Sequence, residues 1–226
     1  MQPQPVFFIA ILGVVLVGGV IGWRLDQKRQ EALRVWAFAR GWRVRPGGGD
    51  GPLFEHPAVK LFQLGHSRRC SCVIEGELDG QPLQMFDYRY VTGHGKNRTT
   101  HQYWVAILNL PYPVRPLRVR PENPFDKVGE FLGADDIDFE SAEFSRRFFV
   151  TADDRKWAYD IIHARMMEFL LASSGGHSLE FGSHELVVFD RGGGKAEHYE
   201  AAMALLQGIR DRIPEYVVRQ QRGEDT

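Results

Sequence analysis

Residues 70–91, CSCVIEGELDGQPLQMFDYRYV, read as two strands joined by a two-residue turn. Cys70, Cys72, Ile74 and Leu78 alternate with Ser71, Glu75 and Glu77, the period of a half-buried strand. Asp79-Gly80 follows, and both residue types tolerate the positive φ that a tight hairpin demands. On the return strand Phe86, Tyr88 and Tyr90 share one face, and Leu83, Met85 and Val91 share the other. On this reading Cys70 and Cys72 point the same way from an extended strand, too far apart for an easy disulfide. Buried small side chains are the expected role of both.

Working outward, residues 103–110 are apolar on both faces, as a central strand is. Together with 70–91 they form an antiparallel meander. Leu61 and Phe62 suggest a short strand before it, and Trp42 to Arg45 another. Residues 144–151 read as a strand centred on Phe148, Phe149 and Val150, followed by a helix to about residue 172 that Asp153 or Asp154 caps. Residues 179–190 make a second hairpin, and 196–213 a last helix that Pro214 stops. The fold class expected is α+β, a meander packed against two or three helices.

Residues 6–23, VFFIAILGVVLVGGVIGW, carry no charge over eighteen positions. As a helix the run spans about 27 Å, close to the hydrocarbon thickness of a bilayer. Four glycines disfavour a buried soluble helix and suit a membrane one. The uncharged start and the missing small-residue cleavage site argue against a cleaved signal peptide. Val6, Phe7, Phe8 and Ile9 would enter the membrane, and Trp23 would anchor the interface. Residues 24–45 hold seven basic and two acidic side chains, net +5. By the positive-inside rule, residues 1–5 lie outside and the rest in the cytoplasm at the plasma membrane. The expected organisation is a span at 6–23, a juxtamembrane helix and Gly-rich linker at 24–52, an α+β domain at 53–215 and a polar tail at 216–226. Gly18 and Gly22 have the GxxxG spacing of a helix-pairing face, which would allow a homodimer.

Chemical signals are sparse. A net charge of −1 argues against a nucleic-acid partner. His56, His66, His94 and His101 lack zinc-protease spacing, and no metal ligand set is expected. Gly93-x-Gly95-Lys96 lacks the remainder of a phosphate loop, and Gly192-Gly-Gly-Lys195 shares only its composition. No catalytic residue or cofactor motif emerges. Residues 122–143 sum to −7, and alternating Asp136, Asp138 and Glu140 read as solvated charge on an edge strand. Arg24, Lys28, Arg29, Lys96 and Arg98 are the candidates for contact with anionic lipid or a protein partner. A membrane-tethered interaction or scaffold module is the function expected; a hydrolase grouping His94 or His101 with Asp87 is the alternative.

Glu140, Phe144, Phe148, Val150 and Asp154 fit the pattern E-[ST]-x-x-F-x-x-x-F-x-V-x-x-x-D, with Met166-Met167-Glu-Phe-Leu170 after it. In this the chain resembles an uncharacterised bacterial membrane-anchored protein family. Ala37–Trp42, Phe86–Tyr90 and Gly95–His101 extend the likeness over most of residues 24–215. The resemblance implies one membrane anchor and a cytoplasmic α+β domain, and no activity.

Overall fold

A computed structural model describes residues 4–45, 50–122, 137–173 and 176–224, without the side chains of residues 4–12, 14 and 15. The described strands form one sheet, antiparallel throughout, in the order β1-β2-β3-β4-β8-β7-β5-β6. They are β1 (Arg43–Arg45), β2 (His66–Leu78), β3 (Gln81–Thr92), β4 (Thr99–Asn109), β5 (Leu117–Pro121), β6 (Phe148–Ala152), β7 (Ser178–Phe181) and β8 (Glu185–Arg191). The helices are α1 (Gln4–Phe38), α2 (Gly51–Glu55), α3 (Ala142–Arg147), α4 (Arg155–Ile161), α5 (Ala164–Ala172), α6 (Ala196–Arg210) and α7 (Glu215–Arg222). The fold is α+β, built on the expected meander β2-β3-β4 and hairpin β7-β8.

Alternation splits the core in two. Leu83, Met85, Trp104, Ala106, Leu186 and Val188 face a layer of helices, meeting Leu33 of α1, Met166 of α5, and Tyr199 and Leu206 of α6. Phe86, Tyr88, Tyr90, Val105, Ile107 and Val187 face the opposite way, under Val59, Leu61 and Phe62.

Several expectations need correction. Leu61 and Phe62 lie in a 3-10 turn, where their burial against the sheet decides the conformation. Cys70 and Cys72 lie on opposite faces. The strand bulges between Ser71 and Ile74, with Cys72 at φ 51°, and one extra residue reverses the alternation. Phe144 belongs to α3, which Ser141 caps by accepting from the Phe144 N–H at 3.2 Å; the strand begins only at Phe148. The helix expected to residue 172 breaks at His163, whose Nε2 lies 2.9 Å from the Arg212 carbonyl. Of the two candidate N-caps, it is Asp154 that accepts from the Trp157 N–H, at 3.1 Å. The tail folds as α7 because Val217 is buried. Residues 26–45 belong to the folded body, through buried Leu33 and Ala37 and the pairing of β1 with β2. Most of the acidic stretch, Asp136 included, lies outside the described residues; Asp138 and Glu140 are exposed outside any strand.

Helix α1 runs unbroken through the expected span and into the juxtamembrane segment as far as Phe38. Among the described residues no helix is long and apolar enough to cross a membrane, so the expected span is not supported on that measure. The side chains of Val6, Phe7, Phe8 and Ile9 lie outside the described residues.

Burial pushes the Cys70 thiol up to about 12 and the Cys72 thiol up to about 11. Since the thiolate is the reactive species, both cysteines should resist iodoacetamide in the native chain at pH 8. Mass spectrometry should find two adducts only after denaturation; rapid native labelling of either would contradict the packing described.

Candidate functional site

The site lies where α1 crosses the sheet. Asp26, Arg29, Gln30, Leu33 and Ala37 recur at three- and four-residue steps, so one stripe of α1 faces the body. Leu33 and Ala37 pack into the core. One turn earlier, the same stripe becomes ionic. Asp87 of β3, 3% exposed, sits on the helix-facing side of the sheet beyond Met85. The Arg29 Nη2 donates to Asp87 Oδ2 and to Asp26 Oδ1, each at 2.6 Å. Its Nη1 donates to the Gly194 carbonyl at 2.6 Å, and the Gly194 N–H donates to Asp87 Oδ1 at 2.7 Å. Gln30 donates to the second Asp26 oxygen at 2.8 Å. The ring thus joins α1, β3 and the loop before α6.

Glycine is required in that loop. A Cβ on Gly194 would fall 2.2 Å from the Tyr199 hydroxyl, and one on Gly193 would fall 2.9 Å from the Arg29 guanidinium carbon. Gly193 and Gly194 are therefore a bed for an arginine, a role the run's likeness to a phosphate loop did not suggest. Tyr199 is fully buried and stacks on Trp36 of α1. Trp36 and Arg40 both donate to Glu200, at 3.0 and 2.6 Å, a second tie between α1 and α6. Burial pushes the Asp87 carboxyl up, against the pull of its hydrogen bonds from Arg29 and Gly194. The two carboxylates, in turn, hold the Arg29 guanidinium charged against the cost of its own burial.

A second polar cluster lies on the opposite face. His56 Nδ1 lies 3.2 Å from Glu185 Oε1, and its Nε2 lies 3.2 Å from Gln84 Oε1. Gln84 donates to Glu55 at 2.6 Å, and Arg45 pairs with Glu55 and Glu75. An acid–imidazole pair suggests catalysis, but both imidazole nitrogens are held by Glu185 and Gln84. The cluster fastens α2 to the sheet. Burial pushes Glu185 up, yet hydrogen bonds from His56 and from the His184 and Ser183 N–H groups outweigh it, lowering the carboxyl to about 2.

The expected site residues are dispersed. Trp23, Arg24 and Lys28 are exposed, as are Lys96 and Arg98 around the Gly95–Asn97 turn. Arg29 is not a surface cation, because the buried Asp87 engages it. Its sequence signal was spacing alone: it lies four residues before Leu33 on the core-facing stripe. Asp87 stood out in the sequence only as an acid on an apolar strand. The hydrolase grouping is not assembled. His101 stacks on Tyr90 and bonds Thr92 on one face, His94 stacks on His66, and Asp87 faces the other way. Among the described residues no His, Cys, Asp and Glu group could hold a metal ion.

No protein-family model and no curated protein matches the chain. Among solved structures it is similar to the crystal structure of the mycobacterial trehalose monomycolate transport factor A, TtfA. The identity is 13%, the match covers 81% of this chain and 94% of that one, and the TM-score is 0.57. At that identity the likeness establishes a shared fold and transfers no residue role.

Breaking a buried ion pair costs about 3–5 kcal/mol, because the remaining charge stays desolvated. Arg29→Met and Asp87→Asn should each lower stability by about that amount in urea melts of the detergent-solubilised chain. The double variant should lose less than the sum, as coupled sites do; additive losses would mean that the pair is not coupled. For Glu185 the folded carboxyl is lower than its ordinary value of 4.5, so its stabilisation is present above that value and fades as pH falls toward about 2. The advantage of the native chain over Glu185→Gln should be about 3 kcal/mol near neutrality and shrink below pH 4.5. A gap unchanged from pH 7 to pH 3 would remove the ion from the account.

Proposed function

We propose that the chain is a non-enzymatic, membrane-tethered interaction module, with residues 6–23 crossing the plasma membrane and the α+β body held at its cytoplasmic face. One observation carries this reading: α1 is a single helix that is ion-paired into the sheet at Arg29 and whose residues 16–25 stand clear of the body. Leu16, Val17, Val20, Ile21, Trp23 and Leu25 are each more than half exposed, and Gly18, Gly19 and Gly22, which fill the rest of the circumference, have no atom of the body within 4 Å. A helix that is apolar on all sides and unpacked needs an apolar surround. The uncharged run in the sequence and the net +5 beyond it support the same placement.

The clamp gives the tether a purpose. A flexible linker would let the body tumble, whereas the Arg29–Asp87–Gly194 ring transmits the orientation of the helix to the sheet. Val35 and Phe38 on the outer side of α1 are exposed apolar residues and offer a surface for a protein partner. Gly18 and Gly22, with no atom of the body near them, leave the helix open to a second copy.

Membrane fractionation tests the tether. The full chain should remain in the pellet after alkaline carbonate, and Ile9→Arg/Leu16→Arg should release it, since each arginine costs about 2.5–3.5 kcal/mol at a bilayer centre. Protease added outside intact cells should spare the body and digest it in inside-out vesicles. A native chain that washes off in carbonate, or a body cut from outside, would sink the proposal.

A further inference from the structure

Beside the clamp, between α1 and strands β2 to β4, lies a recess of about 510 Å³. Arg69 and Arg89 line it and are direct cross-strand partners. Such partners have Cβ atoms about 4.5–5.5 Å apart, and like charges so placed repel. Both residues are exposed, and neither makes an ion pair or hydrogen bond with a described residue. The neighbouring carboxylates compensate them only in part: three arginines and two aspartates leave the lining at net +1. Asp87 is taken by Arg29 and Gly194, and Asp26 by Arg29 and Gln30. Ser71 and Gln102 add neutral polar groups to the lining. The recess is a fork of two guanidinia, Arg69 and Arg89, with which neither lining carboxylate pairs.

Its position matters as much as its charge. Helix α1 runs antiparallel to β3: Arg29 lies over Asp87, while Trp42, just past the helix, lies against Gly76, the partner of Leu83. From Arg29 back to Arg24 the helix rises about 7–8 Å. From Asp87 to Arg89 the strand rises about 7 Å. The arginine pair therefore lies toward the same end of the sheet as Arg24, the first charged residue after the apolar run.

We propose that this recess binds a phosphate group, held by Arg69 and Arg89. Two guanidinia offer paired N–H donors in the geometry that phosphate oxygens accept, and the ligand's charge relieves their repulsion. The phosphate comes from an anionic lipid headgroup or from a soluble anion; the lipid source rests on the tethered reading, and the soluble one does not.

Calorimetric titration of the full chain in neutral detergent, with short-chain phosphatidylglycerol, short-chain phosphatidylcholine and inorganic phosphate, tests it. Phosphatidylglycerol or phosphate should bind saturably, and phosphatidylcholine at least tenfold more weakly. Arg69→Gln/Arg89→Gln should weaken binding at least tenfold, with Arg69→Lys/Arg89→Lys intermediate and Lys96→Gln/Arg98→Gln within twofold of the native chain. Its melting temperature should be no lower than the native one, since the exchange removes a repulsion. Preference for phosphatidylglycerol over phosphate assigns the site to lipid, and the reverse to a soluble anion. Saturable binding by neither, equal binding of phosphatidylcholine, or native affinity in the glutamine variant overturns the proposal. Carbonate extraction of the same proteins separates the two readings: a retained chain that binds neither probe loses the site alone, and a released chain that binds phosphate loses the tether alone.

Discussion

The contact between Arg29 and Asp87 is the constraint on which the architecture turns. Asp87 is taken out of water and Arg29 largely so, and an ion pair so placed is stable only when the remaining donors and acceptors are also satisfied. Asp26 and the Gly194 backbone supply those partners. Meeting this requirement ties a helix, a strand and a glycine loop that are distant in sequence to one point. Apolar packing of Leu33 and Ala37 would hold α1 against the sheet, but burial is non-directional and would tolerate rotation or sliding. The charged ring fixes the register.

The sheet around this point is asymmetric. One face carries the helices, and the other carries the short 51–65 segment, locked by His56 and Glu185. The exposed residues 16–25 of α1, the β3–β4 turn and the fork of Arg69 and Arg89 all lie toward one end of the sheet. The bulge at Ser71–Cys72 falls directly opposite Asp87. Its extra residue puts Ser71 in the recess and Cys72 in the core, on the same side of the sheet. The local irregularity and the buried acid thus share one neighbourhood, where bulges commonly re-aim side chains.

Much of the fold was legible from local pattern. The Asp79-Gly80 turn and the alternation on β3 are settled within a few residues, because turn chemistry and pleat period act at short range. Where the reading failed, a tertiary contact had overruled a local preference. The CxC pair was assigned one face, and a bulge separated its members. Phe144 alternates with Phe148 as on a strand, yet Ser141 caps a helix turn there and the phenyl ring is buried all the same. The polar composition of the tail hid one residue, Val217, whose burial orders α7. Of the candidate site, Arg24, Lys28, Lys96 and Arg98 were identifiable as exposed cations. Asp87, Gly194, Arg69 and Arg89 were not, because their meaning lies in partners far away in sequence.

By itself the sequence determined the antiparallel meander, the amphipathic helices and the uncharged run at 6–23, since each is a periodicity or composition of adjacent residues. Only the tertiary structure decided that Arg29 is a clamp on a buried acid rather than a surface charge, that Gly193 and Gly194 form its bed, and that two arginines on neighbouring strands stand together unpaired. Those are properties of distance between residues remote in the chain. Whether a charge is solvated, neutralised or left open to an anion depends on what the fold places within a few ångströms of it.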